Sequence, residues 1–417
     1  MAHAYIMDNV QQQVDKLYKQ HFGKMVASLL YSSRDIDPET AEDIVQDSFS
    51  SALTDWRQKG IPANTTGWIY KVCRNKALNK IKKDKRLEAL SEKTDQGSFE
   101  VKFSESILDD QQLKLLFACA HPDLSPKVQV VISLKYVVNL RVEAIAKILG
   151  MTIDGVDKLL VRARQKIKDE KIILEEPHPQ ELKQRLSIVH KIIYLIFTEG
   201  YKSSGGKEIL REELCEEALL LNKALLDSNL GNKETKALHA LILFNCARFK
   251  SRFATSGELL DLENQDRSLW NQDLILLAHD FLTRSQDESI SKYHLEAAIA
   301  CLHCVAVSFE STDWKTIANL YARLLHINAN PFVELNYAIA LFYAGDKQAA
   351  FKILNELQRH AFLNQYYLLN MALGKFHHLE GNDTLARQFL LKAYHQTDVT
   401  KEKDFIQNMI NKLKGSA

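Results

Sequence analysis

The chain has 417 residues, with 54 Lys or Arg against 53 Asp or Glu and a net charge of +1, which excludes a protein drawn as a whole to polyanions. That length exceeds one ordinary core, and a hydrophobic content of 46% excludes general disorder. Six cysteines, at positions 73, 119, 215, 246, 301 and 304, lack the density and regular spacing of a secreted disulfide framework.

The first residues, Met1 to Asp8, lack the cationic start and apolar core of a signal peptide. The most apolar stretch, Ile188 to Phe197, is about half of a membrane span and contains His190 and Lys191. A cytoplasmic protein without membrane contact is expected. Apolar residues recur three and four apart along almost the whole chain, which predicts an all-α fold. The prolines read as punctuation: Pro38 and Pro62 in loops, Pro122 and Pro126 around a turn, Pro177 and Pro179 at a boundary, Pro331 at a helix start.

From Ala41 to Leu53, Ile44, Val45, Phe49 and Ala52 share one helical face, which leaves the acids Glu42, Asp43 and Asp47 largely outside it. Next come Trp56, a loop containing Asn64, and a helix from Trp68 to Arg86 carrying eight Lys or Arg against the single acid Asp84. Aromatic rings beside cations suit unstacked bases, since a ring stacks on any base while cations hold phosphates. Trp56 and Trp68 could equally fill a core. Ser91 to Ser98 has no apolar period and reads as a linker.

Leu140 to Leu160 reads as helix, glycine turn and helix. Ala144, Ile145, Ile148 and Leu149 pack the first helix, Gly150 permits a left-handed turn residue, and Thr152 or Asp154 caps the second helix. Val156, Leu159 or Leu160, and Ala163 then point inward, while Asp154, Gly155, Lys158, Val161 and Arg162 face outward toward a DNA groove. Arg141, Arg164, Lys166 and Lys168 are placed for phosphate contacts.

Beyond Glu175, a helix ending in Phe197-Thr198-Glu199-Gly200-Tyr201 precedes Ser203-Ser204-Gly205-Gly206, so Gly200 is a candidate helix cap and the later glycines a loop. Ala338, Gly345 and Ala350 recur as Gly374, Gly381 and Ala386, a period of 36 residues, close to tetratricopeptide repeats. Ala306, Asp313 and Ala318 form an earlier, poorer unit. Such a stack offers a curved surface for a protein or peptide ligand. Cys301-Leu302-His303-Cys304, with His294, has a CxxC spacing but lies in apolar helical sequence where cysteine is an ordinary packing residue. Cys119 with His121, and His377 with His378, lack further ligands. No Gly-rich phosphate loop or Ser-His-Asp set is evident. No metal, cofactor or catalytic group is expected.

The acidic helix Ala41 to Phe49, the Trp56-loop-Trp68 segment, the Arg74-Asn75-Lys76 basic helix, the polar linker, and the helix-turn-helix ending Val161-Arg162-Ala163-Arg164 occur in a specific order. Over about residues 10 to 170 the chain resembles the two-domain extracytoplasmic-function sigma factors. His121-Pro122-Asp123-Leu124-Ser125-Pro126, Tyr194 to Tyr201, Thr312-Asp313-Trp314 and Pro331 to Asn336 resemble the subgroup with a long C-terminal helical, TPR-like extension.

That resemblance implies a sigma region 2 over residues 1–90, a linker over 91–108, a region 4 helix-turn-helix over 109–174, a helical extension over 175–288 and TPR-like repeats over 289–417. It implies that Glu42, Asp43, Val45, Gln46 and Phe49 dock on the β′ clamp helices of core RNA polymerase, with a further contact at the β flap. Asn64, Trp68, Lys71, Arg74, Asn75, Lys76, Lys80, Lys82 and Lys83 would capture the promoter −10 element. Arg141, Thr152, Asp154, Gly155, Lys158, Arg162, Arg164 and Lys166 would serve the −35 element. Leu159 stands where the subgroup commonly has Arg, so its base preference does not carry over. Phe197, Glu199, Gly200 and Tyr201 fall in a hallmark of the extension, which implies a regulatory role. The alternatives are a helix-turn-helix regulator with a repeat sensor, acting without polymerase, and a metal-dependent enzyme.

Overall fold

The computed structural model describes residues 2–32, 36–88, 105–170, 172, 174, 177–201, 211–228, 230–254, 257–286 and 288–414. Residues 91–104 of the expected linker and the Ser203–Gly206 loop lie outside them. Eighteen α-helices occur among the described residues, with no strand beyond an isolated bridge between Phe253 and Leu259. The chain is all-α, as its periodicity predicts. It forms two compact units, residues 1–205 with 210–230, and residues 206–209 with 231–417.

In the first unit, α1 (Ala2–Ser32) packs along α2 (Pro38–Lys59), α3 (Thr65–Glu88) and α4 (Glu105–Cys119). The core of α1 is Val10, Val14, Leu17, Phe22, Met25, Val26 and Leu29. Pro38, expected in a loop, opens α2 instead: Asp37 caps that helix by accepting from the Thr40 amide at 2.7 Å, and proline suits the first helical position because its missing donor would have had no partner there. Pro126 opens α5 (Pro126–Tyr136) in the same way behind the Ser125 cap. Helices α5, α6 (Val142–Ile148) and α7 (Ile153–Asp169) then form a small cluster.

The expected boundary near residue 175 is not where the units part. Helices α8 (Pro179–Tyr201) and α9 (Glu212–Asp227) belong to the first unit, because α8 packs on α4 and α5 while α9 packs on α4 and α8. The Arg185 side chain is almost wholly buried, and its Nη1 donates to the Phe117 carbonyl at 3.0 Å, tying α8 to the end of α4. Gly200 is no helix cap. It lies within α8, where a β-carbon would stand 2.7 Å from the Cys215 sulfur and 2.8 Å from the Cys215 amide nitrogen. Only glycine lets the two helices approach so closely.

The second unit runs from α10 (Lys233–Cys246) to α18 (Thr400–Lys414). Its regular part is two helical hairpins, α14 (Pro331–Tyr343) with α15 (Lys347–Leu357), and α16 (Tyr367–Leu379) with α17 (Asp383–His395). Gly345 and Gly381 take left-handed φ of 98° and 77° between the paired helices. Asp346 and Asn382 cap the second helix of each, and Ala350 and Ala386 are fully buried one turn later. Phe342 and Phe376 stack at 3.7 Å between the hairpins. The earlier pair, α12 (Lys292–Val305) and α13 (Trp314–Ile327), departs from this pattern: Asp313 caps α13, but Ile317 occupies the buried site one turn on, and Ala306 ends α12 rather than lying within it.

Candidate polymerase and promoter surfaces

Helix α2 buries Ala41, Ile44, Val45, Ser48, Phe49, Ala52 and Trp56. The Phe49 ring meets Tyr18 edge-on at 4.9 Å, so Val45 and Phe49, expected on a docking surface, are core residues of the first unit. Asp43, Gln46 and Asp47 are exposed, as the periodicity requires. Glu42 is not: it is only 7% exposed, and its carboxylate meets Lys135 Nζ at 2.5 Å, Arg164 Nη2 at 3.8 Å and Gln46 Nε2 at 3.0 Å. Spacing places Glu42 at the edge of the apolar face, and cations from α5 and α7 cover that edge.

Helix α3 is built on Ile69, Cys73, Ala77 and Ile81, which are buried one turn apart. Lys71, Arg74, Asn75, Lys80, Lys82 and Lys83 are exposed, and Lys76 is half-buried with its Nζ 3.9 Å from Asp47. Trp68 is half-buried, edge-on to the fully buried Trp56 at 5.5 Å. Trp56 is therefore core, and only Trp68 keeps an accessible edge beside the cations. Asn64 caps α3: its Oδ1 accepts from the Gly67 amide at 2.8 Å and its carbonyl from the Trp68 amide at 3.1 Å. Burial pushes the Cys73 thiol up to about 12.

The helix-turn-helix forms from α6 and α7. Gly150 turns with φ of 59°, the Met151 amide donates to the Ala146 carbonyl at 2.8 Å, and Thr152 caps α7 by accepting from the Gly155 amide at 3.1 Å. Val156, Leu160 and Ala163 point inward, which resolves the choice between Leu159 and Leu160. Arg141, Thr152, Asp154, Lys158, Val161 and Arg162 are exposed, and Gly155 is half-buried. Lys158 Nζ lies 2.7 Å from Asp154 across one turn, so part of its charge is offset on the outward face.

Two of the expected phosphate contacts are engaged elsewhere. Arg164 Nε donates to the Tyr136 hydroxyl at 2.8 Å, and Nη1 lies 3.4 Å from Glu39. Lys166 Nζ donates to the Asp123 carbonyl at 2.6 Å and lies 3.6 Å from Glu170. Burial pushes the Tyr136 phenol up to about 12, so it meets Arg164 as a neutral hydroxyl.

In the extension, Phe197, Glu199 and Gly200 are buried and Tyr201 is half-buried, with the Phe197 and Tyr201 rings 5.7 Å apart. The Arg211 amide donates to the Gly200 carbonyl at 2.8 Å, and Cys215 Sγ lies 3.7 Å from the Phe197 carbonyl. These residues form the junction of α8 and α9. His294 of the CxxC neighbourhood works in capping: Nδ1 accepts from the Ser291 amide at 3.2 Å, and Nε2 lies 2.9 Å from the Ser285 carbonyl. Among the described residues no cluster of His, Cys, Asp or Glu is arranged to hold a metal ion, and no helix is long and apolar enough to cross a membrane.

The Sigma-70 region 2 family matches residues 18–87, which span α2 and α3, and Sigma-70 region 4 matches residues 114–167, which span the helix-turn-helix. The chain is a sigma factor. It is of the extracytoplasmic-function type with a C-terminal extension, it binds core RNA polymerase and promoter DNA to direct transcription initiation, and it is not an enzyme. Residues 185–286 of this sigma factor match a family of unknown function, DUF6596. An uncharacterized protein of Rhizobium meliloti (strain 1021) is 31% identical over 340 residues, covering 80% of each chain. No solved structure matches.

Sequence reasoning missed Lys135, which covers Glu42, and Gln112 and Gly23, which both meet the Val137 carbonyl. A glycine inside a long helical stretch is a signal of close backbone approach. The partner that approaches Gly23 is invisible in the local sequence.

Proposed function

We propose that this sigma factor works in the cytoplasm and divides promoter recognition between α3 and α7. Helix α2 docks on the β′ clamp helices through its exposed Asp43 and Gln46, with Asp47 beside them and Glu42 joining once uncovered, and region 4 meets the β flap. The exposed set Lys71, Arg74, Asn75, Lys80, Lys82 and Lys83, with Trp68 and the Asn64 loop, captures the separated strand of the −10 element. Helix α7 reads the −35 element through Asp154, Lys158 and Arg162, with Arg141 on adjacent phosphates.

The observation that carries this reading is the set of exposed cations on α3, with Lys71 and Lys82 facing away from the buried Cys73, Ala77 and Ile81 and Arg74 and Lys83 flanking them. Each DNA contact is weak alone, because a few phosphate contacts give affinities of only about 10⁻⁴ to 10⁻⁶ M at physiological salt. Polymerase holds both regions at once, which makes the second contact intramolecular and multiplies the affinities.

The extension regulates when those surfaces act, through the Phe197–Tyr201 junction and through a protein or peptide ligand on the hairpins of the second unit. Run-off transcription with core polymerase tests the whole reading. The full chain is expected to direct initiation at a restricted set of promoters, and Asp43→Lys with Gln46→Ala to abolish binding to core. A chain that binds duplex DNA tightly yet never binds core would overturn it.

A further inference from the structure

The first unit contains a second use for the α2 acidic edge. We infer that the free chain is self-locked: Lys135 and Arg164 of region 4 occupy the Glu42 side of the polymerase-docking helix, α9 braces that arrangement, and core polymerase must displace it. This rests on the docking role proposed for α2.

Three independent features hold region 2 against region 4. The first is the ion-pair cluster. Glu42 is nearly buried beneath Lys135, itself mostly buried, while Arg164 reaches Glu39 and Glu42 and is fixed by the Tyr136 hydroxyl. Gln46 completes the set that faces the Glu42 carboxylate on its own helix. A docking carboxylate is thus satisfied internally, and an end of the DNA-reading helix is tied to it.

The second feature is a backbone approach. A β-carbon at Gly23 in α1 would fall on the Val137 carbonyl oxygen just past α5, and that oxygen also accepts from Gln112 Nε2 at 3.1 Å. Backbone cannot move aside as a flexible side chain would, so the contact tolerates glycine alone. Nearby, the Asn139 side chain lies beside the half-buried Tyr18 phenol of region 2, and Asn139 takes a φ of 52°, unusual for a residue with a side chain.

The third feature comes from the extension. Glu213 at the start of α9 lies 3.5 Å from Lys19 of α1, while Glu217 one turn later accepts from Gln112 of α4. One helix therefore grips both sigma regions. The lock is suited to reversal, because a buried ion pair contributes little net stability after its desolvation, yet strongly specifies which surfaces meet. A partner that supplies equivalent pairing can replace it.

Carbodiimide joins a lysine directly to a carboxylate in contact with it, and so reads the lock in the full chain. The free protein is expected to yield a peptide joining Lys135 to Glu42 or Glu39, and added core polymerase to remove it. Gly23→Ala leaves α1 a better helix former but blocks the approach to Val137. It is expected to lower the cross-link yield and to tighten core binding about fivefold or more, since apparent affinity scales with the fraction of competent molecules. Lys135→Ala should act in the same direction. Circular dichroism shows whether each variant folds, and the cross-link in the unmodified chain decides the matter if either does not. A cross-link absent from the free protein, one that persists in the polymerase complex, or folded variants with unchanged affinity for core would overturn the lock. If no form binds core at all, the docking role of α2 falls first.

Discussion

Helices α3 and α7 carry the same signature in sequence, a run of Lys and Arg on an amphipathic helix, yet the structure treats their cations differently. On α3, Lys71, Arg74, Lys82 and Lys83 all stand exposed. On α7, Arg164 and Lys166 are bound to Tyr136, Glu39, Glu42 and Asp123, while Lys158, Arg162 and Lys168 stay exposed with the nearby Arg141. Basic charge is therefore no measure of DNA contact by itself. What distinguishes the two helices is whether an internal acceptor reaches the cation first.

The contrast can be broken from either side. Leu160→Ala removes the buried anchor of α7 and should cost about 2–5 kcal/mol in thermal or denaturant unfolding, collapsing −35 recognition while the α3 cations are untouched. Replacing Lys71, Arg74, Lys82 and Lys83 together by Ala should weaken promoter-strand capture by roughly 100-fold and flatten its dependence on salt, read by filter binding across a salt series. The fold should be untouched, because none of the four is buried.

Tyr136 gives a smaller and pH-dependent test. Its buried phenol holds its proton to about 12, whereas an unfolded tyrosine releases it near 10. Between those values the unfolded state binds fewer protons, so stability should fall as pH rises through that window, by up to about 1.4 kcal/mol per unit. Tyr136→Phe should flatten the slope and release Arg164. The smallest effect is the cap: Thr152→Ala should cost about 1 kcal/mol, visible as a modest fall in unfolding midpoint.

Much of this was legible in the sequence because it is local. The period of α7 marked Val156 and Ala163 as buried, Gly150 marked the turn, and the 36-residue recurrence marked hairpins whose Gly345 and Gly381 do turn left-handed. What was not legible depends on partners distant along the chain. Glu42 reads as a surface acid until Lys135 covers it, and Gly200 reads as a cap until Cys215 arrives against it. Helices α8 and α9 read as the start of a separate part, since neither Arg185 nor Glu217 announces the α4 groups it will bind. Long-range pairing leaves no periodicity to find.

The division of labour between α3 and α7 is tested most directly by paired footprinting of the polymerase–promoter complex, with permanganate detecting unpaired thymines and DNase I detecting protection of duplex DNA. With the intact chain, reactive thymines at the −10 element and protection at the −35 element are expected together. With the α3 quadruple variant, the reactive thymines should vanish while the −35 protection remains. Loss of −35 protection with strand opening intact would contradict the assignment of the two helices.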